Sequence, residues 1–152
     1  MKKNIINEMK LRLPARGDNE GVCRSLISAF CAQLDPTVEE LSDIRLAVSE
    51  AVTNAIVHAY SDSTHGEPCY VYISVRLYEP REISVEVSDS GCGIANITEA
   101  MRPTFTTGDK TERCGMGFLV MQTFTDEVSV KSKVGRGTSV LMRKYLKPNT
   151  EG

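Results

Sequence analysis

The sequence lacks a long hydrophobic run, since no apolar stretch of its 152 residues approaches the roughly 18 residues that a membrane-spanning helix requires. The N-terminal segment MKKNIINEMK also lacks the apolar centre of a secretory signal peptide. We therefore expect a cytoplasmic protein that has no membrane partner.

Cysteine is present in an odd number and without a recognisable ligand pattern. No CxxC pair and no Cys/His spacing typical of zinc sites occurs, which excludes the usual disulfide frameworks and structural zinc sites. We expect the five side chains to be reduced thiols: Cys23, Cys31, Cys69, Cys92 and Cys114.

The chain also has little net charge, with a formal value of −2 and 25% charged residues. A strongly basic field, which drives general binding to nucleic acid or anionic membranes, is absent, so neither is an expected partner. The length and the apolar content of 41% suit one domain with a real core. No internal repeat or linker divides residues 1–152.

Hydrophobic periodicity and turn residues predict eight elements in the order strand, two helices, two strands, helix, two strands. Asp18 or Asn19 can cap the first helix, and Thr37 with Glu40 forms a capping-box pattern at the second. A loop of functional length is expected over 95–114. The first six elements are predicted at 7–13, 18–34, 37–60, 69–78, 82–89 and 115–126. The last two strands are predicted within 127–146, on either side of a glycine turn at 135–137. The fold class is α/β (α+β), a two-layer sandwich with a mixed, mostly antiparallel sheet and helices on one face.

The second predicted helix has a polar row at every fourth residue: Glu50, Asn54 and His58. Helical geometry places this row opposite an apolar stripe, which comprises Leu41, Ile44, Val48, Val52, Ala55 and Ala59. A solvated face is one interpretation. Apolar neighbours of the row, Leu46, Ala47 and Val57, favour a second interpretation in which a ligand or lid covers it.

The segment VSDSGCGI places a carboxylate, Asp89, at a strand end directly before Gly91 and Gly93. Glycines permit a tight turn and the close approach of a ligand, and a buried carboxylate accepts hydrogen bonds from an exocyclic amine. An ordinary strand-end turn has the same composition.

The segment GMGFLVM places Gly115 and Gly117 at the predicted start of a helix, after Lys110 and Arg113. Free amides at a helix N-terminus suit phosphate binding. The pattern is neither a P-loop nor a dinucleotide fingerprint, and glycine as loop punctuation is the alternative. In the later segment GRGTSV, Thr138 begins a strand after a glycine turn and offers its hydroxyl.

The order of these motifs resembles that of the ATP-binding Bergerat fold, which gyrase, chaperone, histidine-kinase and mismatch-repair ATPases share. The motifs are E-x-x-x-N, D-x-G-x-G, a loop ending in G-x-G, and G-T. Within that superfamily, SEAVTNAIVHAY and FTTGDKTERCGMGFLVM resemble the bacterial anti-sigma factor serine kinases, above all the sporulation anti-sigma F factors. The resemblance covers residues 7–145.

The resemblance implies roles for individual residues. Glu50 would act as base or orienter toward the acceptor hydroxyl, and Arg113 would lie near the γ-phosphate. Asn54 would coordinate Mg²⁺, and Arg24 would contact a protein partner. Asp89 would accept from the adenine amino group with support from Thr138, and residues 95–114 would form an ATP lid. The implied ATP contacts are Asn54, Asp89, Gly91, Gly93, Thr106, Thr107, Arg113, Gly115, Met116, Gly117 and Thr138.

The implied function is inhibition of an RNA polymerase sigma factor, together with Mg²⁺-ATP-dependent phosphorylation of a serine on an anti-anti-sigma protein. The sigma factor would be sporulation sigma F or that of the general stress response, and the resemblance implies a homodimer. A non-catalytic ATP-binding module of the same fold is the main alternative. A sensor histidine kinase domain is disfavoured, because only His58 and His65 are present and no phosphoacceptor helix is recognisable. Cys92 and Cys114 depart from the family pattern and would make the site sensitive to oxidation.

Overall fold

The structure is a computed structural model that describes residues 3–59, 69–91, 93–94 and 110–148, with the backbone alone at 58, 59 and 110–116. The predicted order of elements is confirmed. The elements are β1 (Ile5–Pro14), α1 (Asp18–Cys31), α2 (Val38–Thr53), β2 (Tyr70–Tyr78), β3 (Glu82–Asp89), α3 (Lys110–Phe124), β4 (Glu127–Lys133) and β5 (Gly137–Tyr145). None of the helices in these ranges combines the length and hydropathy needed to cross a membrane.

The five strands form one sheet in the order β1-β2-β3-β5-β4, so the last strand of the chain lies inside the sheet. Every ladder between the described strands is antiparallel. The predicted α+β class is therefore confirmed, whereas the parallel pairing that a mixed sheet requires does not occur among these strands. Short turns after β2 and β4 account for two of the four antiparallel pairs, since such turns reverse the chain directly.

The core lies between the sheet and the helices because strand residues alternate between the two faces. Val71, Ile73, Val75 and Leu77 of β2 are buried, while Tyr72 between them is exposed. The predicted apolar stripe is confirmed by the burial of four of its members, namely Ile44, Val48 and Val52 on α2 and Ala55 just after it. The opposite face of the sheet carries polar and charged side chains, including Lys10, Arg12, Ser74, Arg76 and Glu86, that line an open groove.

Helix α1 begins without the predicted side-chain cap. Gly17 occupies the N-cap position and makes no side-chain bond to the helix. Asn19 is used elsewhere, since its Nδ2 donates to the carbonyl oxygen of Pro14 at 2.9 Å, and Asp18 pairs with Arg16 at 3.4 Å. The prediction that Asp18 or Asn19 caps the helix was wrong because both side chains have other partners.

Helix α2 begins with the predicted capping box. The backbone N–H of Glu40 donates to Thr37 Oγ1 at 3.0 Å, and the backbone N–H of Thr37 donates to Glu40 Oε1 at 2.9 Å. The second oxygen of this buried carboxylate accepts from the backbone N–H of Lys147 at 2.9 Å. Burial by itself would raise the pKa of Glu40, but these hydrogen bonds outweigh it and lower the pKa. Glu40 therefore ties the start of α2 to the segment that follows β5.

Two cysteines of α1 are buried in the core. Burial raises the pKa of Cys23 to about 11, with Glu20 adding to the shift, and raises that of Cys31 to about 12. Both side chains are therefore protonated thiols at neutral pH, in which form they pack as small apolar groups.

Candidate functional site

The helix that carries the polar row changes geometry at Asn54. The α-helical hydrogen bonding ends at Thr53, and a π-helical turn follows over Asn54–Ala59. The predicted helix over 37–60 is therefore helical through residue 59, but its last six described residues are π-helical, which the sequence did not predict. The π-helical turn contacts α3 and the strands β3 and β5, so it connects the helical half of the candidate site with the sheet. Single π turns of this kind occur frequently at functional sites.

Helix α3 provides the cover that the polar row was expected to have. It packs against α2, and Gly117 lies directly over the row. A Cβ atom at position 117 would lie 2.9 Å from Asn54 Nδ2 and 3.4 Å from Glu50 Oε2. The ends of the Glu50 and Asn54 side chains therefore meet at one point beneath Gly117, which has room there only because it lacks a side chain. The solvated-face interpretation is thus excluded for these two residues.

The side-chain amide of Asn54 is incompletely bonded. Its Nδ2 atom is buried and has no hydrogen-bond partner among the residues that the structure describes. A buried polar group left without a partner costs about 1–3 kcal/mol, and such groups in native proteins call for an explanation, one of which is an absent ion or ligand. Because no hydrogen bond of Nδ2 opposes a rotation of the amide, Asn54 can present its oxygen at the same place.

At the sheet end of the site, Asp89 organises the turn that follows β3. Its Oδ1 atom accepts from the backbone N–H of Gly91 at 2.9 Å and from that of Thr138 at 3.2 Å. Burial raises the pKa of Asp89, and the two hydrogen bonds oppose this shift only in part. Because both of these bonds use Oδ1, Oδ2 has no hydrogen bond from the part of the chain that the structure describes, and it can accept one from a ligand.

Two glycines near Asp89 are required by close backbone packing. Gly93 has a φ of 78°, and a Cβ there would lie 2.3 Å from the carbonyl oxygen of Lys133. Gly137 has a φ of 115°, and a Cβ there would lie 2.1 Å from the carbonyl oxygen of Asp89. The predicted role of Gly93, making room for a base, is thus joined by a structural one, since the turn after β3 packs directly on β4 and β5.

Ser132 is a member of this cluster that the sequence did not reveal. Its Oγ accepts from the backbone N–H of Ile94 at 2.7 Å and lies 3.1 Å from the carbonyl oxygen of Gly137 and 2.8 Å from Thr138 Oγ1. A signal for it exists in β4, where the inward-facing series Val128, Val130 ends in a serine. A polar residue at an apolar position of a period-two pattern requires a partner.

The start of α3 differs from the prediction. The helix begins at Lys110, so the last five residues of the predicted loop 95–114 are helical and Gly115 and Gly117 lie in the second turn. Amides beyond the first turn of a helix donate to carbonyls four residues earlier. In this conformation the amides at 115–117 are therefore engaged within the helix, in contrast to the free amides that the sequence predicted.

Arg24, the predicted partner contact, lies on α1, and its side chain is partly buried. Its guanidinium pairs with Glu20 at 3.4 Å, and its Nε atom is buried without a partner. Glu20 also accepts a short hydrogen bond from the hydroxyl of Ser49, the residue before Glu50. Arg24 is therefore held by a polar contact between α1 and α2 and is not a freely solvated helix arginine.

Several predicted positions have no described side chain. Thr106, Thr107 and Cys92 lie outside the described residues, as does His65. Four positions lie in helical segments for which the backbone alone is described: His58 in the π-helical turn, and Arg113, Cys114 and Met116 in α3. The structure thus joins Glu50, Asn54 and Gly117 in one group and Asp89, Gly91, Gly93 and Thr138 in another.

The chain is similar to known proteins in both sequence and fold. Residues 13–144 match the histidine kinase-like ATPase domain family. The anti-sigma F factors of Geobacillus thermodenitrificans and Clostridium perfringens strain SM101 are each 49% identical over 140 residues, which span 92% of this chain and 93% and 97% of those proteins. A solved structure of the RsbU and RsbW domains of Rv1364c from Mycobacterium tuberculosis matches with a TM-score of 0.67 and 17% identity, over 93% of this chain and 33% of that chain. At that identity the structural match shows the fold alone.

Proposed function

Because the chain belongs to the anti-sigma F factor family of histidine kinase-like ATPase domains, we propose that it inhibits sigma F and phosphorylates a serine of an anti-anti-sigma antagonist. The phosphoryl donor in this proposal is ATP, bound with Mg²⁺. Phosphorylation of the antagonist would prevent it from releasing the sigma factor.

The observation that carries the kinase proposal is the convergence of Glu50 and Asn54 beneath Gly117. A solvated polar row would not bury an unpaired amide nitrogen, whereas a binding site would. Retention of a carboxylate beside the amide supports catalysis in addition to binding, because transfer to a hydroxyl benefits from a general base within reach.

The residues present fit a magnesium ion that is shared with a nucleotide. No group of three or more His, Cys, Asp or Glu side chains among the described residues is arranged to hold a metal without help. Mg²⁺ in phosphoryl-transfer sites takes one or two oxygen ligands from protein and the rest from phosphates and water, and Asn54 supplies such an oxygen. Asn54 would hold the ion beside the phosphates, where its charge would offset theirs.

The residues of the chain would then act by positioning and by proton transfer. The serine oxygen of the antagonist attacks the γ-phosphorus as the bond from that phosphorus to the β-γ bridging oxygen breaks, and Glu50 accepts the proton that leaves the serine. Arg113 precedes Gly117 by one helical turn on α3 and would stabilise charge on the transferred group. No covalent intermediate on the enzyme is required.

The group around Asp89 would select the base. Its Oδ2 atom accepts from the adenine amino group, whereas guanine would present an oxygen at that place, and two acceptors repel each other. Thr138 lies beside this carboxylate because its own N–H donates to Asp89. Binding of phosphates by the amides at 115–117 requires the first two turns of α3 to open.

Partner binding is assigned to α1. Arg24 is held at the helix surface by Glu20, and the same helix exposes Val22 and Leu26, one turn apart. Positions two apart point to nearly opposite sides of a helix, so Val22 and Leu26 form an exposed apolar edge separate from Arg24. Arginine is enriched at protein interfaces, and exposed apolar side chains contribute contact area there. A homodimer is part of the proposal through the family, and each protomer would then carry one such surface.

The test measures phosphate transfer from γ-labelled ATP and Mg²⁺ to a purified anti-anti-sigma protein. We expect the wild-type protein to label one serine, and Glu50→Gln and Asn54→Ala to reduce the rate by at least about 100-fold. Glu39→Gln is the matched control, because Glu39 is an exposed carboxylate on the same helix. Equal rates in Glu50→Gln and Glu39→Gln would refute the assignment of Glu50.

A capture experiment separates the alternatives. Wild-type protein that retains sigma F but labels no serine would be a non-catalytic ATP-binding module. Capture of the general stress sigma factor in preference to sigma F would indicate that the protein regulates the general stress response. Matched amounts of both sigma factors, each with ATP or ADP, make the comparison direct.

A further inference from the structure

The hydroxyl of Ser132 has three partners, which is its full capacity. A serine hydroxyl donates one hydrogen bond and accepts two. Around Ser132, the Ile94 N–H can only donate and the Gly137 carbonyl can only accept, while Thr138 Oγ1 can do either. All three contacts are satisfied together when Ser132 donates to Gly137 and accepts from both Ile94 and Thr138.

This arrangement fixes what Thr138 offers to a ligand. The Thr138 hydroxyl donates its proton to Ser132. Thr138 Oγ1 can therefore only accept a hydrogen bond from a ligand. Asp89, held by the N–H of the same threonine at 3.2 Å, presents an acceptor as well. Asp89 and Thr138 therefore both present acceptors at this end of the site.

We propose that Ser132 is a positioning residue that determines base specificity by holding Thr138 as a hydrogen-bond acceptor. The proposal rests on the proposed ATP-dependent function and extends it to a residue that does not contact the nucleotide. Two acceptors match the amino group of adenine and oppose the O6 oxygen of guanine. Without Ser132, the Thr138 hydroxyl turns and its proton becomes available to O6.

The same serine also holds the turn after β3 in place. Its bond from Ile94 N–H fixes the residue next to Gly93, whose backbone packs within van der Waals range of Lys133 in β4. A purely structural role would affect the binding of every nucleotide equally. Specificity separates the two roles, because only the orientation of Thr138 distinguishes adenine from guanine.

The experiment compares Ser132→Thr with Ser132→Val. Threonine and valine have nearly the same shape, and both favour β-strands, but only threonine retains the hydroxyl. ATP and GTP are each titrated against a fluorescent nucleotide with Mg²⁺ present, and the ratio of their affinities is the readout. Ser129→Val is the matched control, since Ser129 is exposed on the opposite face of the same strand.

We expect the wild type, Ser132→Thr and Ser129→Val to keep the ATP-to-GTP ratio within about twofold, and Ser132→Val to lower it about tenfold, the effect of one hydrogen bond. Ser132→Ala provides a second hydroxyl-free variant if the valine disturbs folding. Equal ratios in Ser132→Thr and the hydroxyl-free variants would overturn the inference while leaving the proposed function intact. A wild type that binds neither nucleotide would overturn the proposed function itself and the inference with it.

Discussion

The contact between Gly117 and Asn54 leads to a sharp prediction for Gly117→Ala. The added Cβ would lie 2.9 Å from Asn54 Nδ2. Since nonbonded heavy atoms prefer about 3.5 Å or more, the amide must move by roughly 0.6 Å. In a site where a 1 Å displacement can cost about 100-fold, we expect the affinity for Mg²⁺-ATP to fall about tenfold.

The folding stability of the same variant should change little. Alanine is favoured over glycine inside a helix by about 1 kcal/mol, which offsets the strain from the displaced amide. We expect the free energy of unfolding of Gly117→Ala to lie within about 1 kcal/mol of the wild-type value. Loss of binding in a protein that unfolds normally would place the effect at the site.

Gly21→Ala is the matched control, because Gly21 is also inside a helix. A Cβ added there would lie no closer than 3.9 Å to a described neighbouring atom, Arg24 Nη2. This variant should gain about 1 kcal/mol of stability and bind ATP as the wild type does. Urea unfolding gives the stabilities, and competition against a fluorescent nucleotide gives the affinities. If both alanine variants bind ATP within twofold of the wild type, Gly117 does not limit the space at Asn54.

Three further predictions concern other contacts. Glu40→Gln removes the acceptor for the N–H of residue 147 and should cost about 1–3 kcal/mol of unfolding free energy at pH 7. The difference in unfolding free energy between Glu40→Gln and the exposed-site control Glu39→Gln should shrink as the pH falls from the ordinary carboxyl pKa of 4.5 through the lowered pKa of Glu40. A difference that stays constant with pH would contradict this. Asp89→Asn should abolish adenine preference without loss of stability at neutral pH. The affinity of the wild type for ATP should fall as acid protonates Asp89, and the fall should begin above the ordinary carboxyl pKa of 3.8, because burial raises the pKa of Asp89. Arg24→Ala should weaken capture of sigma F or of the antagonist at least about tenfold, with ATP affinity unchanged, and an equal loss in the exposed-site variant Arg45→Ala would argue against a specific contact.

The sequence predicted the sheet and the core stripes well because both depend on local periodicity. Alternation marked β2 and β3, and a spacing of three and four residues marked the buried side of α2. The capping box of Thr37 and Glu40 was also predictable, since both of its partners lie within one turn of helix. These features need no knowledge of distant residues.

Features that depend on distant residues were not predictable from the pattern. The π-helical turn at Asn54 follows from packing against α3, β3 and β5, which lie far along the chain. Gly17 replaced the expected cap because Asn19 found the carbonyl of Pro14. The start of α3 at Lys110 was missed since Gly115 and Gly117 normally mark helix ends, whereas here they lie within the helix.

The candidate site shows the same division. Glu50, Asn54 and Asp89 were recognised because their motifs are local. The structure brings Glu50 and Asn54 together beneath Gly117 and places Asp89 in a second group with Gly91 and Thr138. Ser132 was missed because its importance arises only when the turn at Gly93 packs on β4 and β5. Conversely, Gly93 was interpreted only as space for a ligand, and its structural role was missed because it depends on close packing against the backbone of the distant residue Lys133.

The position of β5 within the sheet has a consequence for synthesis of the protein. β5 is made last, yet it pairs with both β3 and β4. Until the ribosome has released this strand, β3 has an open edge and β4 has no neighbour among the strands already made, so a nascent chain cannot close its core. Premature termination anywhere before residue 137 should therefore yield an aggregation-prone fragment that cannot sequester a partner, and only completed chains would contribute to regulation.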